Sequence, residues 1–449
     1  MVHIAQDPPA GPAPTLRPRL SELAAQIAEN AKILEDYIES QGLPYPSFAA
    51  DGPSKFPLPP AAGSTPEVEK LHAARLQVLQ ASKSILDLTA GPSEMLLWLV
   101  WGFNDTSTIH VIHHFKIAQL VPENGDISFA DLSKLVNISS LKLRQILRYA
   151  MTNRIFCEPR QGYIGHTALS LLLRDENSPE WAWIGYNTQE LCRTGPALVP
   201  CLEKFPHSQE LDETPWSMAH NDQGFFDYMD KNPESAKRFG VCMSLWSSGD
   251  GLKVAPLVTG YDWGKLPEGA TVVDVGGATG FVSLEIAKAN PSLKFIIEDI
   301  APLSLEEGKR NLARDHPDLV ERFEFRQHDF MTEQPVKGAD VYLVRFILHD
   351  WPDKYVHQIL KSLIPAFKNG TKLIVSDFVL PPANILPARE ERTVRALDLI
   401  IFKAYNSNER EEGDWRRLFA EVDPRLRVDS ITRPASSLLW VLEVTFVDE

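Results

Sequence analysis

Thr271-Val-Val-Asp-Val-Gly-Gly-Ala-Thr-Gly280 carries an apolar run straight into a cluster of glycines. Thr271 to Val275 has the β-branched content of a buried parallel strand, and Phe281-Val-Ser-Leu-Glu-Ile-Ala-Lys-Ala289 has the apolar spacing of a helix. The glycines therefore fall on a strand-to-helix turn. There Gly276 and Gly277 can adopt backbone angles closed to other residues, and their missing side chains let a ligand lie against the main chain. The next apolar run, Lys294-Phe-Ile-Ile-Glu-Asp299, ends in a carboxylate 25 residues after Asp274. That is close to the spacing at which an acidic residue holds a ribose diol, with Asp299 the first choice and Glu298 the second. A dinucleotide and a nucleoside such as S-adenosylmethionine both fit at this stage. No Gly-x-x-x-x-Gly-Lys-Ser/Thr sequence occurs, which argues against a phosphate-gripping loop.

The chain has 449 residues, 44% of them hydrophobic, enough for two or three domains with real cores. Its formal net charge of -15 argues against a nucleic-acid partner, which clustered Lys and Arg would serve. Cys157, Cys192, Cys201 and Cys242 are scattered without metal-ligand spacing, as expected in a reducing compartment. The first 25 residues lack the pattern of an export signal, and no apolar stretch approaches the ~18 residues of a membrane span, so a cytoplasmic location without membrane attachment is expected.

Three regions differ in texture. Residues 1–75, rich in Pro and Ala, read as an N-terminal extension with an amphipathic helix near Leu20 to Gln41. Residues 76–250 are mostly helical and include Pro92-Ser-Glu-Met-Leu-Leu-Trp-Leu-Val-Trp101, apolar nearly all round and so expected to be buried in a core or a dimer interface. Within this region Ile127 to Val136 and Ser139 to Ala150 read as two helices, and Ile155 to Ile164 as a hairpin. Helix-turn-helix plus wing normally suggests DNA binding, but the second helix carries only Lys142, Arg144 and Arg148 in an acidic chain. Residues 251–449 alternate strands and helices, the α/β pattern of a doubly wound sheet.

The third strand of that sheet ends in chemistry. Ala339-Asp-Val-Tyr-Leu-Val-Arg-Phe-Ile-Leu-His-Asp-Trp-Pro352 places His349, Asp350 and Trp351 just past a strand's carboxyl end, where ligands of open α/β sheets bind. A neutral imidazole there can take a proton near pH 7.

Asp274-Val-Gly-Gly-Ala-Thr-Gly280, Glu298-Asp299, His328-Asp-Phe330, Ala339-Asp340, Arg345-Phe-Ile-Leu-His-Asp-Trp351 and Asp398-Leu-Ile-Ile401, in that order, resemble the class I S-adenosylmethionine-dependent O-methyltransferases of the caffeic-acid type. The similarity is strongest to the fungal, sterigmatocystin O-methyltransferase-like branch that acts on polyketides and other secondary metabolites, and it spans roughly residues 70–449. It implies a Rossmann-like catalytic domain preceded by a mainly helical winged-helix domain that serves homodimerisation and closes the substrate pocket.

Position by position, the resemblance assigns Gly276, Gly277 and Gly280 to the cofactor turn, Asp299 to the ribose hydroxyls, and Asp329 and Phe330 to the adenine. Arg345 stands where the family usually has a Lys beside the cofactor. His349 matches the general base, and Asp398 and Glu409 match the acids that hold it. Ser407-Asn408 replaces the family's Gly-Gly-Lys before Glu409, and Glu411 is near enough to compete. Asp398 is therefore the preferred ring partner. A sulfonium methyl is already electrophilic, so the enzyme must mainly align donor and acceptor and remove a phenol proton whose solution pKa is ~10. A carboxylate on the second ring nitrogen would fix the tautomer and stabilise the imidazolium.

No metal is required by this scheme, and no compact ligand set stands out in the sequence. His110, His113 and His114 lack a nearby Glu or Cys and read as a partly buried helix face. A flat aromatic or enolic substrate would suit walls built from Trp181, Trp183, Tyr186, Phe225, Phe226, Tyr228, Met243 and Trp246. His166, which follows the wing, and Asp350, beside the base, are further candidates for that pocket. Two other readings stand beside methyl transfer. Some fungal members of the family keep S-adenosylmethionine but act as pericyclases or dehydratases, typically with the base position changed. The other reading is a non-catalytic dimeric scaffold, against which the intact turn and base both argue.

Overall fold

The computed structural model describes residues 18–60, 65–248, 252–435 and 437–448, which form two compact units. One comprises residues up to Thr108 with Leu120–Leu171, the other Ile109–Gln119 with the chain from Leu172 onward.

In the first unit the helix Leu20–Ser40 packs on the helix Pro66–Trp101. Leu34, Leu71 and Ala74 form their shared apolar seam. The boundary expected at residue 75 therefore falls inside a continuous helix, because the extension buries its apolar face against the segment that follows it. Gly91, at φ 74°, kinks this long helix just before Pro92, as a residue with positive φ preceding a proline must.

Beyond the kink the expectation of burial fails within one chain. Leu96, Leu97, Trp98, Leu99, Val100 and Trp101 are all more than half exposed. Consecutive helical residues point about 100° apart, so this stretch is open around its whole circumference.

Strand β1 (Asp126–Ser128) pairs antiparallel with β2 (Tyr163–Gly165), and Cys157 bridges to Gly165. The helix expected from Ile127 therefore starts at Phe129: Ile127 and Ser128 are spent on pairing, and Ser128 Oγ caps the helix by accepting the Asp131 amide at 3.0 Å.

The second unit is built on a seven-stranded sheet: β3 (Thr271–Val275), β4 (Lys294–Asp299), β5 (Phe323–Gln327), β6 (Val341–Arg345), β7 (Lys372–Asp377), β8 (Leu426–Thr432) and β9 (Trp440–Phe446). The spatial order is β5-β4-β3-β6-β7-β9-β8, parallel from β5 through β7, with β9 antiparallel to both its neighbours. Alternate residues serve opposite faces. Val273, Val275, Tyr342 and Val344 join one core with the Asp353–Leu363 and Glu412–Val422 helices, while Val272, Val341 and Leu343 join another with the Phe281–Ala289 helix. Strand order reverses between β3 and β6, and a crevice for ligands opens at such a switch point.

The boundary expected at residue 250 also shifts. Ala182, Tyr186, Trp216, Phe225, Met229 and Cys242 share a core with Ile401, Ala404 and Tyr405 of the Ala388–Tyr405 helix, so the chain from Leu172 belongs with the sheet. Sequence texture is helical on both sides of Leu172, which leaves no local mark of the change.

The glycine turn after β3 rests on the Pro302–Asp315 helix. A Cβ on Gly308 would lie 2.5 Å from the Thr279 carbonyl oxygen and 2.7 Å from the Phe325 ring. Ala is favoured over Gly in a helix by ~1 kcal/mol, but forcing a methyl against main chain costs ~1–3 kcal/mol. Gly308→Ala is expected to lower stability in urea unfolding, whereas Gly240→Ala, on an exposed helical site with nothing within 4 Å, should raise it by up to ~1 kcal/mol. A stabilised Gly308→Ala protein would show that the turn and helix are not in contact as described.

Candidate active site

His349 lies in the tight turn Leu348–Asp350 immediately after β6. The turn is tied to the neighbouring strand by the His349 amide, which donates to Asp377 Oδ2 at 3.2 Å. The ring is buried, with Nδ1 3.0 Å from Glu409 Oε1 and 3.8 Å from Asp377 Oδ1, while Nε2 lies 3.5 Å from Asp350 Oδ1. A carboxylate only accepts, so Nδ1 carries the proton toward Glu409. Asp350 stands too far for a good hydrogen bond, which leaves Nε2 open to an incoming hydroxyl.

Burial by itself would depress the imidazole, but the charges of Asp377, Asp350 and Glu409 together hold its pKa well above the ordinary value. The acids pay the converse penalty. Burial pushes Asp377 up to about 7 and Asp350 up to about 6, even though His349 pulls both down.

The order of the two expected ring partners is reversed. Asp398 does not meet the ring; its Oδ1 accepts the Glu409 amide at 2.8 Å and so positions the residue that does. Asp398, Phe402 and Asn406 are instead among the walls of a cavity of about 550 Å³. Glu411 caps the next helix.

Two residues were missed. Asp377 ends β7 as Asp299 ends β4, and an apolar run closing on a carboxylate was the available signal. Arg410 is fully buried and donates to Asp353 Oδ1, the Leu348 carbonyl and the Trp351 carbonyl at 2.8–2.9 Å, clamping both ends of the His349 turn. Nothing in its sequence neighbourhood marks it.

At the other end of the crevice, Gly276 and Gly280 have φ of 72° and 75°. A Cβ on Gly276 would stand 2.6 Å from Ile347 Cδ1 and 3.7 Å from the Phe330 ring, and one on Gly277 would stand 2.7 Å from the Asp274 carboxyl. Asp299 accepts the Ala278 amide with Oδ2 and the Ala301 amide with Oδ1, each at 2.9 Å, so its carboxylate sits at the mouth of the glycine turn. Glu298 turns inward, buried against Gln334 Nε2 at 2.8 Å.

Asp329 Oδ1 accepts the Met331 amide at 2.9 Å, and the neighbouring Phe330 ring meets Trp351 edge-on at 5.8 Å. A half-buried carboxylate, an aromatic ring and a turn stripped of side chains at one sheet edge fit an adenosine. Arg345, buried and pushed down to about 10 by burial against the pull of Asp274 and Asp377, donates to the Leu252 carbonyl at 2.7 Å.

Of the acceptor-side candidates, Tyr186, Phe225 and Met243 lie in or against the core shared with the Ala388–Tyr405 helix. The Trp246 side chain lies outside the described residues. His166 is corrected: it is buried in the first unit, with Nδ1 2.9 Å from Ser170 Oγ and Nε2 3.2 Å from the Val121 carbonyl, so both ring nitrogens are committed to local packing. Trp181 is stacked on His113 at 3.8 Å, and burial lowers that histidine to about 4.

A compact set of potential metal ligands does exist. His349, Asp377 and Glu409 bring ligand atoms within 4.8 Å of one another, from positions 28 and 60 residues apart along the chain. Only the fold brings them together.

Comparison with known proteins identifies the family. A family model described as an O-methyltransferase domain matches residues 205–422. The grayanic acid biosynthesis cluster O-methyltransferase of Cladonia grayi is 37% identical over 433 residues, covering 96% of this chain and 88% of that protein. Chlorophenol O-methyltransferase of Trichoderma longibrachiatum is 33% identical over 432 residues, covering 95% and 90%. A solved structure described as a pericyclic reaction enzyme shares the fold with a TM-score of 0.65, at 18% identity over 94% of this chain and all of its own. The chain belongs to the class I S-adenosylmethionine-dependent O-methyltransferases, among fungal enzymes of secondary metabolism.

Proposed function

We propose that His349 is the general base that removes the proton from a phenol or enol hydroxyl of the acceptor, a polyketide-type secondary metabolite. The observation that carries this reading is the ring's polarity, with Nδ1 fixed on Glu409 and Nε2 left for the acceptor. When bound, S-adenosylmethionine supplies an electrophilic methyl on a sulfonium sulfur. On the protein's side, Gly276, Gly277 and Gly280 admit the adenosine to the main chain, Asp299 takes the ribose hydroxyls, and Asp329 and Phe330 meet the adenine. Arg345 stands on the cofactor side, held by its bond to the Leu252 carbonyl. Glu409, supported by Asp377, stabilises the imidazolium as the proton arrives at Nε2, and Asp398 positions Glu409. Tyr186, Phe225, Met243 and Asp350 line the acceptor side.

The active protein is a homodimer on this reading, since the apolar circumference from Leu96 to Trp101 requires cover that one chain does not give. The two helices and short strand pair of the first unit support a winged-helix role in that assembly. All four cysteines are free and no described helix is long and apolar enough to cross a membrane, which supports a cytoplasmic site of action. A net charge of -15 weighs against a nucleic-acid partner.

His349→Ala should bind S-adenosylhomocysteine almost as the parent does in calorimetry, while methyl transfer at neutral pH drops by roughly 10²–10⁴. Equal rates for the two proteins would remove His349 from the mechanism, and product formed without consumption of S-adenosylmethionine would favour the pericyclase or dehydratase reading. Asp299→Ala should weaken cofactor binding at least ~tenfold, as expected for loss of charge-assisted hydrogen bonds worth ~1.5–3 kcal/mol each. A larger loss in Glu298→Ala would reverse the assignment.

The pH dependence has a definite sign. A base whose pKa is raised is protonated at neutrality, so kcat/KM should climb as pH rises through 7 rather than stand level. Glu409→Gln keeps an oxygen for Nδ1–H but removes a charge, and should move that rising limb to lower pH while lowering the maximal rate. An unmoved limb in the pH-rate profile would show that Glu409 does not tune the base.

A further inference from the structure

Two buried tyrosines near the base have idle hydroxyls. Tyr405 ends the Ala388–Tyr405 helix and Tyr186 begins the π-helical turn Tyr186–Glu190, a local irregularity often found at functional sites. They are only 6% and 4% exposed, yet neither hydroxyl makes a hydrogen bond to any described residue. Neither hydroxyl oxygen is among the fully buried polar atoms that lack a partner, so each reaches open space and is available to a ligand.

The Tyr405 ring packs on Phe225 at 4.7 Å and on Phe226 at 5.7 Å, and Phe226 stacks on Trp351, the residue after Asp350, at 5.6 Å. The Ala388–Tyr405 helix also packs against the Leu348–Asp350 turn. Tyr186 shares its apolar cluster with Tyr405, Ile401 and Ala404. Burial holds both hydroxyls well above the ordinary tyrosine value, followed by the charge of Asp350 for Tyr405 and by Cys242 and Glu190, ahead of Asp350, for Tyr186. These groups therefore stay protonated and act as donors, not as bases. Asp350 in turn lies 3.5 Å from His349 Nε2, where the reacting hydroxyl must sit. Tyr405 thus stands beside the turn that carries Asp350 and the base, with Tyr186 in the same apolar cluster.

We propose that Tyr405 and Tyr186 donate hydrogen bonds to a second, carbonyl-type oxygen adjacent to the hydroxyl that is methylated, so that the preferred acceptor is a phenol or enol with a neighbouring carbonyl. This rests on the methyl-transfer reading of His349. A carbonyl oxygen has two lone pairs and can take both donors. In a free ortho-acyl phenol the phenol proton is held in an internal hydrogen bond to that carbonyl. Donation from the tyrosines replaces this bond and releases the proton toward His349. The O–H bond then breaks with its proton passing to Nε2, the oxygen's electron pair forms the new O–CH3 bond, and the pair of the broken C–S bond stays on sulfur. Negative charge that spreads onto the carbonyl oxygen meets donors already in place.

The test uses ortho- and para-hydroxyacetophenone as acceptors for the full-length protein, Tyr405→Phe and Tyr186→Phe, with S-adenosylmethionine as donor. Wild type should favour the ortho isomer. Tyr405→Phe and Tyr186→Phe should each lower the ortho-to-para ratio of kcat/KM roughly tenfold or more, whatever their common effect on both isomers. A thermal melt checks that both variants fold. Equal losses on the two isomers, no loss on either, or methylation of neither isomer by wild type with S-adenosylhomocysteine still bound would overturn the proposal while leaving methyl transfer standing. Product formed from either isomer without consumption of S-adenosylmethionine would overturn the methyl-transfer reading beneath it.

Discussion

Four ionisable groups share one site, His349, Asp377 and Glu409 buried and Asp350 half-buried beside them, and no arrangement of the crevice works unless their charges balance. Three carboxylates wholly or partly removed from water repel one another, and each costs desolvation energy that a nearby cation or a proton offsets. The imidazolium is that cation. Its attraction to the acids is the reason its pKa is raised, and the same attraction keeps Asp350 and Asp377 from rising further than about 6 and 7. Stability of the turn and basicity of the ring are thus two expressions of one interaction. Arg410 adds a second cation just outside the cluster, but it spends its donors on Asp353 and on the carbonyls of Leu348 and Trp351, holding the backbone rather than the ring.

The sheet couples this cluster to the cofactor turn. β3 and β6 are hydrogen-bonded neighbours, with Val275 opposite Val344, so the chains leaving them run side by side. Ile347, two residues before the base, occupies the space that a side chain on Gly276 would need. The glycine is thereby required by the base loop as well as by any nucleoside. Arg345 extends the same coupling, since the charges of both Asp274, beneath the turn, and Asp377, beneath the base, act on it. A change at either end alters the packing or the field felt at the other.

Legibility in the sequence followed locality. The glycine turn, Asp299 and His349 each lie at the carboxyl end of an apolar run, where a residue's place is set by its own strand. Asp377 obeys the same rule and was available to the same reasoning. Glu409 was not, because its approach to the ring depends on how the chain reverses after the Ala388–Tyr405 helix. Asn406 does this in the left-handed conformation, at φ 60°, while donating to the Ser208 and Glu210 carbonyls. With the family's glycines absent, the order of residues alone favoured Asp398. The domain limits were hidden for a related reason: helical texture looks the same whether a helix packs on its own bundle or on the sheet. The apolar segment from Leu96 to Trp101 shows the opposite limit, since its composition led to an expectation of burial and one chain leaves it open.

An over-acidic site is a sensible place for proton removal once the whole cycle is counted. An acceptor that binds as an anion to the protonated ring and one that binds neutral to the free ring give complexes with the same number of protons. The raised pKa therefore does not forbid the proposed chemistry; it moves the working range toward alkaline pH. After methylation the ether carries no charge and the proton stays on the imidazole. Its partners then matter in a second way. Burial pushes Asp350 up to about 6 and Asp377 up to about 7, so the imidazolium is what keeps these acids charged in the site. Burial raises those values, and burial is also what makes the cluster need its imidazolium.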